Sequence, residues 1–304
     1  MIELVRKIGY FFINLQYSFA FLVILLIRRK KVRIPRCNGK DVFLLMNGPS
    51  LARNLQDYKD ILSKKKCMCV NMMAKSEEYE LLKPHYYTIA DVKFWEQMKG
   101  SDDNEFLRNE QKNWDELSDY IVEKTHWKMY LFLPDLARSN VELVNKLNSN
   151  KNIHIVFLNS GILFKGFDGV LFKVWKKQLC LPDLINVLVL AIYVSVLMGF
   201  ENIYLLGCDH SYFSNFHVDE NNKFYYEYHH SYDSRNAFKV PYDSYGKEYS
   251  MSRILSENAT LWETYEKLDK FSRINLSHIY NCTSVSMIDV FKRKKLSEVL
   301  NEAQ

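Results

Sequence analysis

Glycine and proline are scarce: ten and six in 304 residues. That excludes collagen-like and low-complexity disordered classes. The chain has no GxGxxG, which argues against a nicotinamide cofactor, and no GxxxxGK[ST], which argues against a P-loop kinase or ATPase. It lacks GxSxG, the mark of an α/β-hydrolase, and it lacks HExxH or a comparable zinc spacing. No metal site and no cofactor are expected. The six cysteines (Cys37, Cys67, Cys69, Cys180, Cys208, Cys282) form no CxxC pair, so core packing is their expected role. The net charge of +5 is too mild and too dispersed for a dedicated nucleic-acid binder.

Charge is absent from one long stretch. Residues 9–27 carry no ionisable acid or base other than tyrosine, and Arg28, Arg29, Lys30, Lys31, Arg33 and Arg36 follow. Nineteen residues of helix measure about 28 Å, close to a bilayer core. The expectation over 1–40 is a membrane-associated helix, spanning or lying in the interface, and its basic flank on the inner-membrane surface, with the remaining chain at the cytoplasmic face. Asn14, Gln16 and Ser18 interrupt its apolar character.

From residue 41 onward, apolar strands alternate with helical stretches. Strands are predicted at 42–46, 66–71, 86–90, 129–133, 153–158, 202–207 and 278–282. Helices are predicted at 50–62, 92–98, 104–124, 135–149, 184–199, 252–270 and 285–301. Strands that are apolar throughout belong to a sheet covered on both faces, and the βα alternation predicts a doubly wound, mostly parallel, Rossmann-like α/β domain over 41–304. Residues 209–248 break the pattern. They hold half of the chain's eight histidines and many of its tyrosines, and show neither helical nor strand periodicity. Long loops inside compact domains tend to be functional lids, and a lid over the carboxyl edge of the sheet is the expectation here.

The first strand, Val42-Phe43-Leu44-Leu45-Met46, stops at Asn47-Gly48-Pro49-Ser50. Gly48 permits close backbone approach, Pro49 suits a helix start, and free N–H groups at such a start attract anions. Other strand ends carry Asn71, Asp91, Ser160-Gly161 and Asp209-His210. In a doubly wound sheet this edge binds ligands. Asn47, Gly48, Pro49, Ser50, Asn71, Asp91, Ser160, Gly161 and Asp209 are therefore the candidate nucleotide contacts. For proton transfer, His210, His217, His229 and His230 are candidates. Tyr212, Tyr225, Tyr226, Tyr228 and Tyr232 could donate to a leaving phosphate, with Arg235 and Lys239 assisting. His85 and His154 read as structural, and Asp102-Asp103 as a helix-start cap.

Two stretches carry a resemblance. Val-Phe-Leu-Leu-Met-Asn-Gly-Pro-Ser-Leu with Cys-Val-Asn71 and Ala90-Asp91, and 186–209 ending in Leu-Gly-Cys-Asp209, resemble the bacterial sialyltransferases of glycosyltransferase family 42. The Gly-Pro-Ser-Leu turn is also similar to that of DUF115-type domains, which include pterin diphosphokinase-like proteins. The resemblance spans roughly 41–95 and 184–212. It implies a metal-independent transferase that moves a sugar from a CMP-linked donor, sialic acid or Kdo-like, to a glycan or lipid-linked acceptor such as capsule or lipopolysaccharide. It also implies that Asn47, Gly48 and Ser50 touch phosphate and ribose, that Asn71 touches the nucleotide, and that Asp209 lies at the cytidine end. The chain departs from the family at Asp91, where an Asn is usual, and has no histidine just before the helix near 252; His229 and His230 take that place by lid position, with Tyr228 and Tyr232 beside them. Two other readings stand: a phosphotransferase holding a divalent ion on Asp91 and Asp209, and a non-catalytic polysaccharide-assembly protein. A homo-oligomer is left open.

Overall fold

The computed structural model describes residues 2–27, 32–37, 39–100, 104–160, 166–211, 216–228, 237–239, 242 and 247–302. The strands are β1 (Asp41–Leu45), β2 (Cys67–Val70), β3 (Tyr86–Thr88), β4 (Met129–Pro134), β5 (Ile153–Leu158), β6 (Asn202–Leu206), β7 (Phe216–Val218), β8 (Phe224–Tyr228), β9 (Ala237–Lys239), β10 (His278–Asn281) and β11 (Lys292–Arg293). The helices are α1 (Ile2–Ile27), α2 (Ser50–Leu62), α3 (Glu78–Leu82), α4 (Glu105–Lys124), α5 (Val141–Asn148), α6 (Asp168–Lys176), α7 (Val187–Met198), α8 (Met251–Ile274) and α9 (Leu296–Glu302).

Eight strands form one sheet in the order β11-β10-β6-β1-β2-β3-β4-β5. Every pairing in it is parallel. β1 shows why its sequence is apolar without a break. Val42 and Leu44 pack with α7 and α8 on one face, while Phe43 and Leu45 pack with α2, α4 and α9 on the other. Helix α7 lies deep in the first of these layers; all of its residues but Leu197 are buried. Asn186 caps its start by accepting from the Val189 N–H, and Gly199, at φ 89°, closes it with a left-handed turn. The doubly wound α/β architecture is thus present. Cys67 and Cys69 are fully buried core thiols, with Cys67 pushed up to about 12 by burial, and the six cysteines are free.

Several expectations are corrected. Among the described residues no helix is long and apolar enough to cross a membrane. Helix α1 runs from Ile2 to Ile27, but Glu3, Arg6 and Lys7 occupy its first two turns and Asn14, Gln16 and Ser18 its middle. The assignment of residues 9–27 to the inner membrane falls, and with it the placement at the cytoplasmic face that rested on it. The predicted helix at 92–98 is a 3-10 turn, Val92–Phe94, and that at 135–149 splits into a 3-10 turn and α5. Asn140 makes the split, accepting from the Leu143 N–H at 2.9 Å. Residues 285–291 are not helical: Ser286 Oγ donates to the Cys208 carbonyl (2.6 Å), and the Met287 N–H donates to the Asp209 carbonyl (2.9 Å). Helix α4 is capped by Asn104; Asp102 and Asp103 lie outside the described residues. The stretch 209–248 does contain strands: β7, β8 and β9 pair as an antiparallel sheet.

Candidate functional site

The chain leaves β1 toward β2 and β5, then returns through β6 on the other side of β1. The connection reverses between β1 and β6, and at such a point the loops diverge and leave a crevice at the carboxyl ends. Two loops meet there: Asn47-Gly48-Pro49-Ser50 after β1, and Gly207-Cys208-Asp209-His210 after β6. The Gly48 N–H donates to the Gly207 carbonyl at 2.9 Å. A Cβ on Gly48 would fall 2.1 Å from Asp209 Oδ2 and 2.4 Å from the Gly207 oxygen. The close approach that glycine permits here is made by Asp209 and Gly207.

Asp209 is buried, and its carboxylate sits at the start of α2. Oδ1 accepts from the Ser50 N–H at 3.2 Å, and Oδ2 accepts from the Ser50 hydroxyl at 2.7 Å. The anion-attracting end of the helix therefore already holds a carboxylate. Burial raises the Asp209 pKa above the ordinary carboxylate value, and the two Ser50 bonds oppose the rise. The Asp209 loop is stapled to the segment after β10: the Cys208 N–H donates to Thr283 Oγ1 at 3.0 Å, beside the Ser286 and Met287 bonds above. Next to the carboxylate opens a cavity of about 430 Å³, with Ser50, Ala52, Arg53 and Gln56 on one wall and Asp209 and Ser284 on another.

One strand over, the polar groups lack partners. Among the described residues, the buried Asn47 Oδ1, Asn71 Oδ1 and Thr88 Oγ1 find no hydrogen-bond partner. Pairing of Leu45 with Cys69 and of Val70 with Thr88 places the three at the ends of β1, β2 and β3. Asn71 has φ 44°, a left-handed conformation that Asn tolerates better than most residues, and its carbonyl accepts from the Tyr87 hydroxyl. A buried polar atom left unpaired costs about 1–3 kcal/mol, so three together call for a ligand or water to complete them.

Farther along the same edge the polar groups satisfy one another. Asp91 accepts from the Lys93 N–H at 3.1 Å, and its pKa is raised by burial against the pull of the Lys93 charge. Lys93 Nζ bonds Glu110 at 2.5 Å. The Ser160 N–H and hydroxyl both donate to Asp135, joining the loops after β4 and β5. Gly161 lies outside the described residues.

His210 is locked. Its Nε2 lies 2.8 Å from the Tyr265 hydroxyl and 3.2 Å from Asn186 Nδ2, and its ring meets Trp262 edge-on at 5.7 Å. Burial drives its pKa down to about 4. With φ 52° and that enclosure, it anchors the turn after β6; Nε2 is already engaged, so a role as general base is not supported. His217 pairs with Tyr225 across β7 and β8, rings stacked at 5.5 Å. Tyr226, Tyr228 and Lys239 are described by their strand positions alone. His229, His230, Tyr212, Tyr232 and Arg235 lie outside the described residues. The Tyr242 ring lies 6.1 Å from Phe106 at the start of α4, and Glu248 accepts from the Tyr242 hydroxyl while pairing with Lys223 at 3.1 Å.

Thr88, Arg53, Gln56, Ser284 and Tyr265 were not singled out in the sequence. Thr88 alone had a readable signal, a hydroxyl in an otherwise apolar and aromatic strand.

No protein-family model matches the chain, and no curated protein matches it. Among solved structures, the MAf glycosyltransferase from Magnetospirillum magneticum AMB-1 is similar at a TM-score of 0.43 and 13% sequence identity. The alignment covers 87% of this chain and 34% of that one, so this chain spans about a third of that protein's length.

Proposed function

We propose that the chain is a glycosyltransferase that binds a nucleotide-activated sugar, CMP-linked by the motif resemblance, over the carboxyl ends of β1, β2 and β3. The unpartnered oxygens of Asn47, Asn71 and Thr88 carry the reading. They are acceptors, so they suit ribose hydroxyls and the amino groups of a base, and they border the crevice where doubly wound sheets bind ligands. Asp209, holding the start of α2, walls the donor site rather than sharing its phosphate with the helix. The transfer is a direct displacement. The acceptor oxygen forms a bond to the anomeric carbon, the bond to the phosphate oxygen breaks, and the electron pair leaves with the phosphate. The acceptor's proton goes to a base in the lid, where His229 and His230 are the proposed groups and Tyr228 and Tyr232 the proposed donors to the departing phosphate.

The phosphotransferase reading asks Asp91 and Asp209 to share one ion. They follow β3 and β6, three strand spacings apart, or about 14 Å. Each is engaged with neighbours of its own. The geometry favours the sugar-transfer reading.

Incubating the purified chain with CMP-, UDP- and GDP-sugars tests this. Release of nucleotide from one class, lost on replacing both His229 and His230 with Ala, is the expected result. No binding and no turnover of any class would overturn the proposal; turnover untouched by the double replacement would move the base elsewhere.

A further inference from the structure

The cavity beside Asp209 lies against the first turns of α2, lined also by residues that follow β6 and β10, whereas the unpartnered oxygens follow or end β1, β2 and β3. It is an open depression of about 430 Å³: Pro49, Ala52, Arg53, Gln56, Ser284 and Val285 on its sides are exposed, and Asp209 is buried. The chemistry of its walls selects among occupants. A carboxylate at its base, Asp209, repels a phosphate, and the start of α2 that would attract one is already taken by that carboxylate. Each Asp209 oxygen accepts one bond from Ser50 and retains acceptor capacity. Arg53 supplies donors, and Gln56 and Ser284 supply both donors and acceptors. Among the described residues none of these three side chains makes a hydrogen bond or ion pair. Val285, 70% exposed, adds an apolar surface at the rim. Acceptors, donors and one apolar patch around a space of this size match a neutral sugar ring, which offers hydroxyls at its edge and C–H groups on its face.

We propose that this cavity is the acceptor pocket, taking one neutral saccharide unit whose hydroxyls bond the Asp209 carboxylate and the side chains of Arg53, Gln56 and Ser284, an assignment that rests on the glycosyltransferase reading above. Asp209 here is a binding residue that touches the acceptor.

Ligand-observed NMR on the full chain tests the pocket directly. The probes are galactose, glucose, N-acetylglucosamine and lactose, each with and without CMP, against wild type, Ala52→Trp and Asp209→Asn. Ala52 is exposed on the cavity wall, so Ala52→Trp fills the space without disturbing the core. The expected result is saturation transfer to at least one saccharide in wild type. Its affinity falls at least tenfold in Ala52→Trp and in Asp209→Asn, while CMP affinity, followed by calorimetry, stays within twofold in Ala52→Trp. No saccharide binding to wild type overturns the pocket, as does saccharide binding indifferent to Ala52→Trp. A tenfold loss of CMP affinity in Ala52→Trp also overturns it, because the cavity would then belong to the donor. Failure of wild type to bind CMP while a saccharide is held and blocked by Ala52→Trp would retain the pocket and remove the donor reading, so the two fail separately.

Discussion

The carboxylate of Asp209 grips Ser50 across 159 residues of sequence, accepting from both its N–H and its hydroxyl. This contact joins the loop after β6 to the start of α2 and closes the crevice between β1 and β6 from one side. Removal of the hydroxyl in Ser50→Ala takes away a charge-assisted hydrogen bond. The expected loss of stability is about 1.5–3 kcal/mol, read as a lower urea midpoint with an unchanged slope. A variant within 0.5 kcal/mol of wild type would show that the contact contributes little.

Gly48 and Gly169 make a contrasting pair. Gly48→Ala places a methyl 2.1 Å from Asp209 Oδ2 and 2.4 Å from a backbone carbonyl. The side chain can turn aside, but the carbonyl cannot, so a loss of about 3 kcal/mol or a failure to fold is expected. Gly169, in α6, has nothing within 4 Å of a built Cβ. Gly169→Ala is expected to stabilise the chain by about 0.5–1 kcal/mol. Thermal denaturation of the two variants side by side checks both signs.

His210 predicts an acid-sensitive fold. Unfolded, its imidazole takes a proton as the pH falls through about 6.5; folded, burial delays this to about 4. Between those values the unfolded chain holds the extra proton, so stability falls as pH falls, by up to about 3 kcal/mol in total. His210→Asn keeps a residue that tolerates the left-handed turn. Urea titrations from pH 7 to pH 4 should show a shallower loss for His210→Asn than for wild type; parallel curves would mean that the histidine does not couple folding to protons.

The unpartnered oxygens separate stability from binding. Asn47→Ala and Thr88→Val each delete a buried acceptor that pairs with nothing among the described residues. Thr88→Val is nearly isosteric, so its stability should be unchanged or higher. Asn47→Ala should weaken nucleotide binding about tenfold, or ~1.4 kcal/mol. Calorimetry with CMP reads the affinity; an unaltered affinity in Asn47→Ala would place the nucleotide away from β1.

Much of this architecture is legible along the chain. The predicted helix at 50–62 is α2, and the predicted strand at 153–158 is β5, residue for residue. Long apolar runs ending in Asn, Gly or Asp are strong signals because a parallel strand is buried on both faces. The failures have physical causes too. Residues 285–291 carry Val285, Ile288 and Phe291 three residues apart, a helix-like spacing, yet Ser286 and Met287 are spent on the Cys208 and Asp209 carbonyls. The alternation in β7 and β8 is hidden because aromatic rings stand at successive positions, as in Phe224-Tyr225-Tyr226. Residues 9–27 form an uncharged, apolar run, but Asn14, Gln16 and Ser18 interrupt it, and among the described residues no helix is long and apolar enough to cross a membrane. In the site, Asn47 and Asn71 stand out as strand ends, but the grip of Asp209 on Ser50 is a tertiary contact that no local pattern encodes.

Thermal denaturation with CMP, UMP, GDP or ADP present probes the proposed nucleotide seat at the ends of β1, β2 and β3. A ligand at 100 times its Kd adds about 2.7 kcal/mol to the folded state. For a chain of this size that is a rise of roughly 4 °C. CMP should give such a rise, the other three smaller ones, and Asn47→Ala a reduced rise with CMP. A melting temperature indifferent to all four nucleotides would contradict the proposed seat.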